Sequence, residues 1–211
     1  MSGIFLTFEG LDGSGKTTQL QLLASALSAR GFDVLTTREP GGTLLGKRIR
    51  ELILEIEDAP VPLAELLLFA ADRAQHLETL VRPALAEGKI VISDRYADAT
   101  DAYQGAGRGF PAEKIRQTID LATENFKPHL TLFFDLPTEE ALTRANSRVE
   151  ESNRLDKETL DFFERVRRAY LEISAAEPER FQIVDASGSI EEIHQKTLQI
   201  VGQFLESQNR K

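Results

Sequence analysis

Cysteine is absent from this chain of 211 residues, which excludes disulfide bridges, thiolate metal sites and a thiol nucleophile. Histidine is scarce. His76, His129 and His194 stand apart, no two at metal-ligand spacing, and none is assigned a catalytic role. Long apolar runs are missing, since nothing approaches the roughly 20 residues that span a bilayer. The opening MSGIFLTFEG has no cationic leader and only a short apolar run before Glu9, so it does not read as a signal peptide. A cytoplasmic protein without a membrane partner is expected. Positive charge is in deficit: 25 Lys and Arg against 34 Asp and Glu give a net charge of −9. That balance argues against a nucleic-acid partner or a membrane-surface role. It leaves room for a nucleotide site, which needs only a few local cations. No internal repeat, low-complexity tract or long linker interrupts the chain. Hydrophobic residues at 41% and charged residues at 28% describe an ordinary globular protein, and the length fits one α/β domain or at most two small ones.

Periodicity supplies the element order. Ile4 to Phe8 is a short apolar run that meets glycine at Gly10, a buried strand entering a turn. Leu20, Leu23, Ala24 and Leu27 recur at helical spacing, with Gly31 placed for a left-handed cap. Phe32 to Thr37 reads as a second strand and Leu44 to Ile56 as a helix. Leu63 to Glu87 is a long helical pattern in which Pro83 predicts a kink, closed by Gly88. Lys89 to Ser93 is a third strand and Pro111 to Asn125 a helix. Leu130 to Asp135 is a fourth strand and Thr138 to Arg148 a helix. Glu151 to Lys157 is polar and irregular. Glu158 to Ala176 is helical, Phe181 to Asp185 is a fifth strand, and Ser189 to Ser207 is the last helix. This alternation predicts a central parallel sheet of five strands with helices on both faces, with ligands beyond the carboxyl ends of the strands.

The glycines after the first strand belong to a specific pattern. Gly10-Leu11-Asp12-Gly13-Ser14-Gly15-Lys16-Thr17, continued by Thr18, matches G-x-x-x-x-G-K-[ST], the P-loop. Glycines let the backbone curl so that successive N–H groups face phosphate oxygens, and the following helix adds the positive end of its dipole. Lys16 is placed to reach the terminal phosphates of ATP and the Thr17 hydroxyl to ligate Mg²⁺. The third strand ends at Asp94, where a carboxylate would hold that Mg²⁺ directly or through water.

P-loops serve kinases, GTPase switches and mechanical ATPases. The chain has no guanine-reading N-K-x-D, and a mechanical ATPase is usually larger or one module of an assembly. A small-molecule kinase with a second pocket for an acceptor remains. Other readings stay open from the residues alone: a kinase for one or another nucleoside or nucleoside monophosphate, or a nucleotide-binding module without catalysis. Candidates for the acceptor pocket are Arg38 in REPGGT, Phe69 and Arg73 one turn apart, Arg95 in SDRY, and Thr100, Tyr103 and Gln104 beyond it. By periodicity alone Phe69 is a core aromatic.

These segments, in order and spacing, resemble the bacterial-type thymidylate kinases over the whole length: TFEGLDGSGKTT, REPGGT, FAADRAQH, SDRY and AYQGAGRG. The resemblance implies a single P-loop kinase domain over 1–211 with the three-layer nucleoside-monophosphate-kinase fold, transferring the γ-phosphoryl of ATP to dTMP, and usually a homodimer. It implies that Arg38 and Arg95 hold the dTMP phosphate, a task that suits guanidinium forks. It implies that Phe69 stacks on thymine, that Arg73 bonds a thymine carbonyl, and that Thr100 and Gln104 complete the polar contacts. Tyr103 is implied to lie against the sugar's 2′ carbon and exclude a ribose hydroxyl, and Asp12 to contact the 3′-hydroxyl. Some members carry a catalytic arginine where this chain has Gly13, whereas others supply arginines from a mobile lid. The lid is expected at about 144–156, with Arg148 the leading catalytic cation, Arg154 assisting and Arg144 stacking on adenine. Asn153-Arg154-Leu155-Asp156 departs from the more usual Asp-Arg-x-Glu. Asp185-Ala186-Ser187-Gly188 resembles the segment that packs beside adenine.

Overall fold

The computed structural model describes residues 3–55, 58–147 and 158–208. Its strands are β1 (Ile4–Glu9), β2 (Val34–Arg38), β3 (Ile90–Asp94), β4 (Leu130–Asp135) and β5 (Phe181–Asp185). They form one parallel sheet in the order β2-β3-β1-β4-β5, as the expected α/β fold requires. The central strand β1 is buried along its length, and its neighbours β3 and β4 are buried up to their last residue. Continuous apolar sequence, and not alternation, therefore marks these strands.

Period-two geometry divides the core. Ile4, Leu6 and Phe8 face one way, with Ile90, Ile92, Leu130, Leu132 and Phe134. They pack in one cluster with Leu20, Leu23 and Leu27 of α1 (Lys16–Ala29) and Ile193, Val201 and Leu205 of α9 (Ile190–Gln208). Phe5 and Val91 face the other way, against Leu77, Val81, Ala84 and Tyr96. Thr7 and Glu9 share that second face, so β1 carries polar side chains inward at its carboxyl end. The remaining helices are α2 (Leu44–Leu54), α3 (Pro62–His76), α4 (Arg82–Ala86), α5 (Ala97–Thr100), α6 (Ala112–Thr123), α7 (Thr138–Asn146) and α8 (Leu160–Ala176).

The long helical pattern around Pro83 is not one continuous helix: α3 passes through a π-helical turn, Leu77–Val81, into α4, and Pro83 stands in the first turn of α4. Proline has no N–H to donate and its ring presses on the carbonyl four residues back, at Thr79, so a widened turn placed there accommodates it. The segment after β3, where the sequence pattern shows no element, is helical. α5 runs directly into a π-helical stretch, Asp101–Gly107, that carries Tyr103 and Gln104. Its glycines and polar residues hide the period, and a π-turn does not follow 3.6-residue spacing at all. Gly31 does cap α1, at φ 87.

Candidate active site

The P-loop joins β1, at the centre of the sheet, to α1 at its carboxyl edge. Gly10, Gly13 and Gly15 take φ of 142, 86 and 85, and a side chain would be strained at each. Gly13 has a second constraint: a Cβ there would run into the Ala141 carbonyl oxygen of α7. Position 13 is thus closed to any side chain by the packing of α7. At Gly15 nothing lies within 4 Å of the place a Cβ would take, so the loop is open on that side. Ser14 Oγ is buried without a partner, as a donor reserved for a ligand oxygen would be. Lys16 Nζ donates to the Leu11 carbonyl at 2.8 Å and stands 3.7 Å from Asp12. Burial, with Arg95 nearby, pulls the Lys16 ammonium below the usual lysine range against the pull of Asp12, Asp94 and Glu9. Thr18 sits half-buried in the first turn of α1.

Beside the loop, the Thr17 hydroxyl donates to Asp94 Oδ2 at 3.1 Å, so β3 and α1 bring two hard oxygen ligands together. A cleft of about 280 Å³ opens here, lined by Thr17, Thr37, Arg38, Gly42 and Asp94 among others.

Arg95 links this loop to the segment that carries Tyr103. It stands at φ 73, in the left-handed region, where a long side chain carries strain on the order of 1–3 kcal/mol. The surrounding backbone holds it there. Its N–H donates to Phe8 O at 2.9 Å and its carbonyl accepts from Ser93 Oγ at 2.8 Å. The next amide, Tyr96 N–H, donates to Glu9 Oε1 at 2.8 Å. The side chain then reaches Asp12 Oδ1 at 2.8 Å and the Tyr103 hydroxyl at 3.0 Å, with its guanidinium 4.7 Å from the Tyr103 ring centroid. Packing around the loop pushes the Asp12 carboxyl up, but Arg95, Lys16 and Arg50 outweigh it and hold it at about 2.

Arg50 is a residue that sequence reasoning missed. It lies on α2, half-buried, and donates to the Pro40 carbonyl at 3.2 Å. Burial, then the charges of Arg38 and Arg95, depress its guanidinium, while Asp12 and Asp94 oppose the shift. Three guanidinium groups, Arg38, Arg50 and Arg95, thus stand close enough to repel one another, as a site built for a multiply charged anion requires. Arg50 has no motif around it. The only signal is its place two turns into a helix that begins straight after REPGGT.

Glu39 and its neighbours were also unassigned. Glu39 is buried and accepts from Arg73 Nε at 2.8 Å, while its other oxygen pairs with His76 Nδ1 at 2.7 Å. Asp72 accepts from Gly41 N–H at 3.1 Å, and burial with Glu39 nearby lifts its carboxyl to about 6. His76 thus holds the loop after β2 against α3. Arg73 also donates to Thr100 Oγ1 at 2.7 Å and Tyr96 O at 2.9 Å. Arg73, Thr100 and Gln104 are all buried and Phe69 is half-buried beside them. Arg38 is exposed at the mouth of the cleft. On the opposite side, Arg144 donates to Ala186 O at 3.4 Å and to Glu140, which places it against the 185–188 segment. Arg148, Asn153 and Arg154, with most of the expected lid, lie outside the described residues.

The thymidylate kinase family model matches residues 8–197. Thymidylate kinase of Pelobacter propionicus is 45% identical over 211 residues, covering 97% of this chain and 95% of that protein. Thymidylate kinase of a Synechococcus species is 50% identical over 198 residues, covering 94% of each. The crystal structure of thymidylate kinase from Ehrlichia chaffeensis superposes with a TM-score of 0.78 at 35% identity, over 96% of this chain and 99% of that one.

Glu9 generates a prediction of its own. It is fully buried, and burial followed by the nearby Asp98 raises its carboxyl from 4.5 to about 8, against the lowering effect of Arg95, Tyr170 and the Tyr96 amide. A carboxyl whose folded pKa is raised stabilises the fold fully below its unfolded pKa, and that contribution is lost as pH climbs through the folded value. Glu9→Gln should therefore flatten the fall in melting temperature between about pH 5 and 8, measured by thermal unfolding across buffers. An unchanged slope would mean that Glu9 does not titrate in this range. With the loop, the oxygen pair, the arginine cluster and the relatives in agreement, the chain belongs to the thymidylate kinase family of nucleoside monophosphate kinases.

Proposed function

We propose that this protein transfers the γ-phosphoryl group of ATP, bound with Mg²⁺, to dTMP, giving dTDP. Phosphorylation of dTMP follows from family membership. The observation that carries the geometry is Arg95: a strained arginine, held by the P-loop strand, whose side chain spans Asp12 of the donor loop and Tyr103 of the acceptor pocket. Such a residue can hold an acceptor phosphate next to the phosphate that is transferred, and positioning is most of what phosphoryl transfer asks of a protein.

In this reading Gly10 to Thr18 bind ATP, with Lys16 neutralising charge on the transferred group. Thr17 and Asp94 would hold Mg²⁺, which supplies further charge neutralisation at the phosphates. The hydroxyl and carboxylate already meet at hydrogen-bond distance, and hard oxygens suit that ion. Arg38, Arg50 and Arg95 grip the dTMP phosphate. Phe69 stacks on thymine while Arg73, Thr100 and Gln104 supply polar contacts. Tyr103, fixed by Arg95, stands against the sugar, and Asp12 takes the 3′-hydroxyl. Because α7 closes Gly13 to any side chain, the remaining catalytic charge falls to Arg148 and Arg154 of a lid at about 144–156, with Arg144 on the adenine side. The chain works as one domain in the cytoplasm, and no helix among the described residues is long and apolar enough to cross a membrane. A homodimer is supported by exposed leucines on two packed helices, Leu45 and Leu52 of α2 and Leu63 and Leu67 of α3.

Two measurements follow. In a coupled assay of ADP release with ATP and Mg²⁺, dTMP should be phosphorylated far better than AMP, GMP or CMP; any of those three as best acceptor would overturn the thymine contacts. Light scattering at micromolar concentration should give about twice the chain mass, and a monomer would remove the dimer.

A further inference from the structure

The acceptor pocket contains a device that fixes which way one amide points. Glu65, Phe69 and Arg73 follow one another at four-residue steps along α3, so they line one stripe of that helix. Thr100 and Gln104 are likewise four apart where α5 passes into the π-helical stretch. Two hydrogen bonds join the stripes: Arg73 Nη1 to Thr100 Oγ1 at 2.7 Å, and Gln104 Nε2 to Glu65 Oε1 at 3.0 Å. Phe69 lies between these rungs.

The second rung is polarised. Glu65 is buried, 1% exposed, and accepts from Arg108 through both oxygens, Nε to Oε1 and Nη2 to Oε2, each at 3.2 Å. Arg108 is itself fixed by Glu158 at 2.6 Å and by the Phe162 ring, 5.1 Å from its guanidinium carbon. What Glu65 presents to Gln104 is therefore an acceptor. A primary amide can meet an acceptor only with its NH₂ half, and its carbonyl oxygen then points to the other side of the amide carbon. With the opposite orientation two oxygens would face each other in a buried place, at the cost of an unpaired buried acceptor.

We propose that Glu65 is a specificity-determining positioning residue: it orients Gln104 so that Oε1, an acceptor, is the atom offered to the base. This rests on the reading above in which Gln104 contacts the base. A fixed acceptor selects a pyrimidine whose ring N3 carries hydrogen, as thymine and uracil do, over cytosine, whose N3 is a lone pair. Discrimination of this kind is large because the wrong base leaves buried polar atoms unmatched. The base is thus read by an amide whose orientation is set from outside the pocket, by an Arg108–Glu65 pair that does not touch the substrate.

The test compares kcat/KM for dTMP, dUMP and dCMP, together with the KM for ATP and the melting temperature, in wild type, Glu65→Leu, Glu65→Gln and Gln104→Ala. Glu65→Leu should lower the dTMP/dCMP and dUMP/dCMP ratios together by about tenfold or more, the change that one buried hydrogen bond supports, with ATP KM unchanged. Glu65→Gln keeps an acceptor oxygen and should stay within about threefold of wild type. Should Glu65→Leu fail to fold, Arg108→Leu releases Glu65 and is expected to lower the same ratios several-fold. A folded Glu65→Leu or Arg108→Leu protein with the wild-type ratios overturns the inference, as does an equal fall for all three acceptors, the mark of a purely structural role. Gln104→Ala separates the two levels. If it lowers the ratio while Glu65→Leu does not, only the role of Glu65 fails. If it leaves the ratio unchanged, the base contact of Gln104 fails first.

Discussion

Everything in this site depends on one arginine kept in an unfavourable backbone conformation. Arg95 follows directly on β3, and its left-handed φ turns the chain so that its side chain reaches back over the P-loop. An isolated residue would relax from that geometry. Here the Phe8 carbonyl, the Ser93 hydroxyl and the Glu9 carboxyl each hold one backbone group, and two of the three come from β1, the strand that delivers the P-loop. In the proposed reading the donor loop and the acceptor clamp thus share one rigid strand. Strain concentrated at a functional residue and sustained by its surroundings is a familiar form of preorganisation.

The same logic recurs further from the phosphates. The chain is acidic overall, yet it gathers Arg38, Arg50 and Arg95 at one point, and their mutual repulsion is tolerated because Asp12 and Asp94 stand among them. Deeper in, Glu39 with Arg73 and Glu65 with Arg108 are charged pairs with little or no exposure of the carboxylate. Pairs of this kind contribute little net stability, since desolvation offsets most of the attraction. Their value in the proposed reading is geometric: they fix a guanidinium and an amide whose orientation matters to a ligand.

How much of this was legible in the sequence depended on the kind of signal. Strands β1, β3 and β4 announced themselves as unbroken apolar runs because both faces of the sheet are covered. The P-loop was legible because its chemistry requires glycine and lysine at set intervals, and the positive φ values at Gly10, Gly13 and Gly15 are the physical reason for that spacing. The segment after β3 was not legible as helix, because π-helical turns break the periodicity on which helix recognition rests. Arg50 was missed for a different reason: one arginine on an amphipathic helix looks like solvent-facing charge until the fold brings Arg38 and Arg95 beside it. Buried carboxylates such as Glu39, Glu65 and Asp72 share that property. Their partners are distant in sequence, 34 residues between Glu39 and Arg73 and 43 between Glu65 and Arg108, so only the fold reveals them.

In the proposed reading, donor and acceptor are bound by separate groups joined through Arg95. Arg95 joins Asp12, which belongs to the P-loop, to Tyr103 beyond β3, and removing the guanidinium should unfasten the acceptor while leaving the glycine-rich backbone free to hold ATP. Calorimetry on Arg95→Ala tests this most directly. The account predicts that dTMP affinity falls by about a hundredfold, the loss of a charge-assisted contact worth roughly 3 kcal/mol, while ATP affinity changes less than about threefold. An equal loss of both ligands, or an unchanged affinity for dTMP, would contradict it.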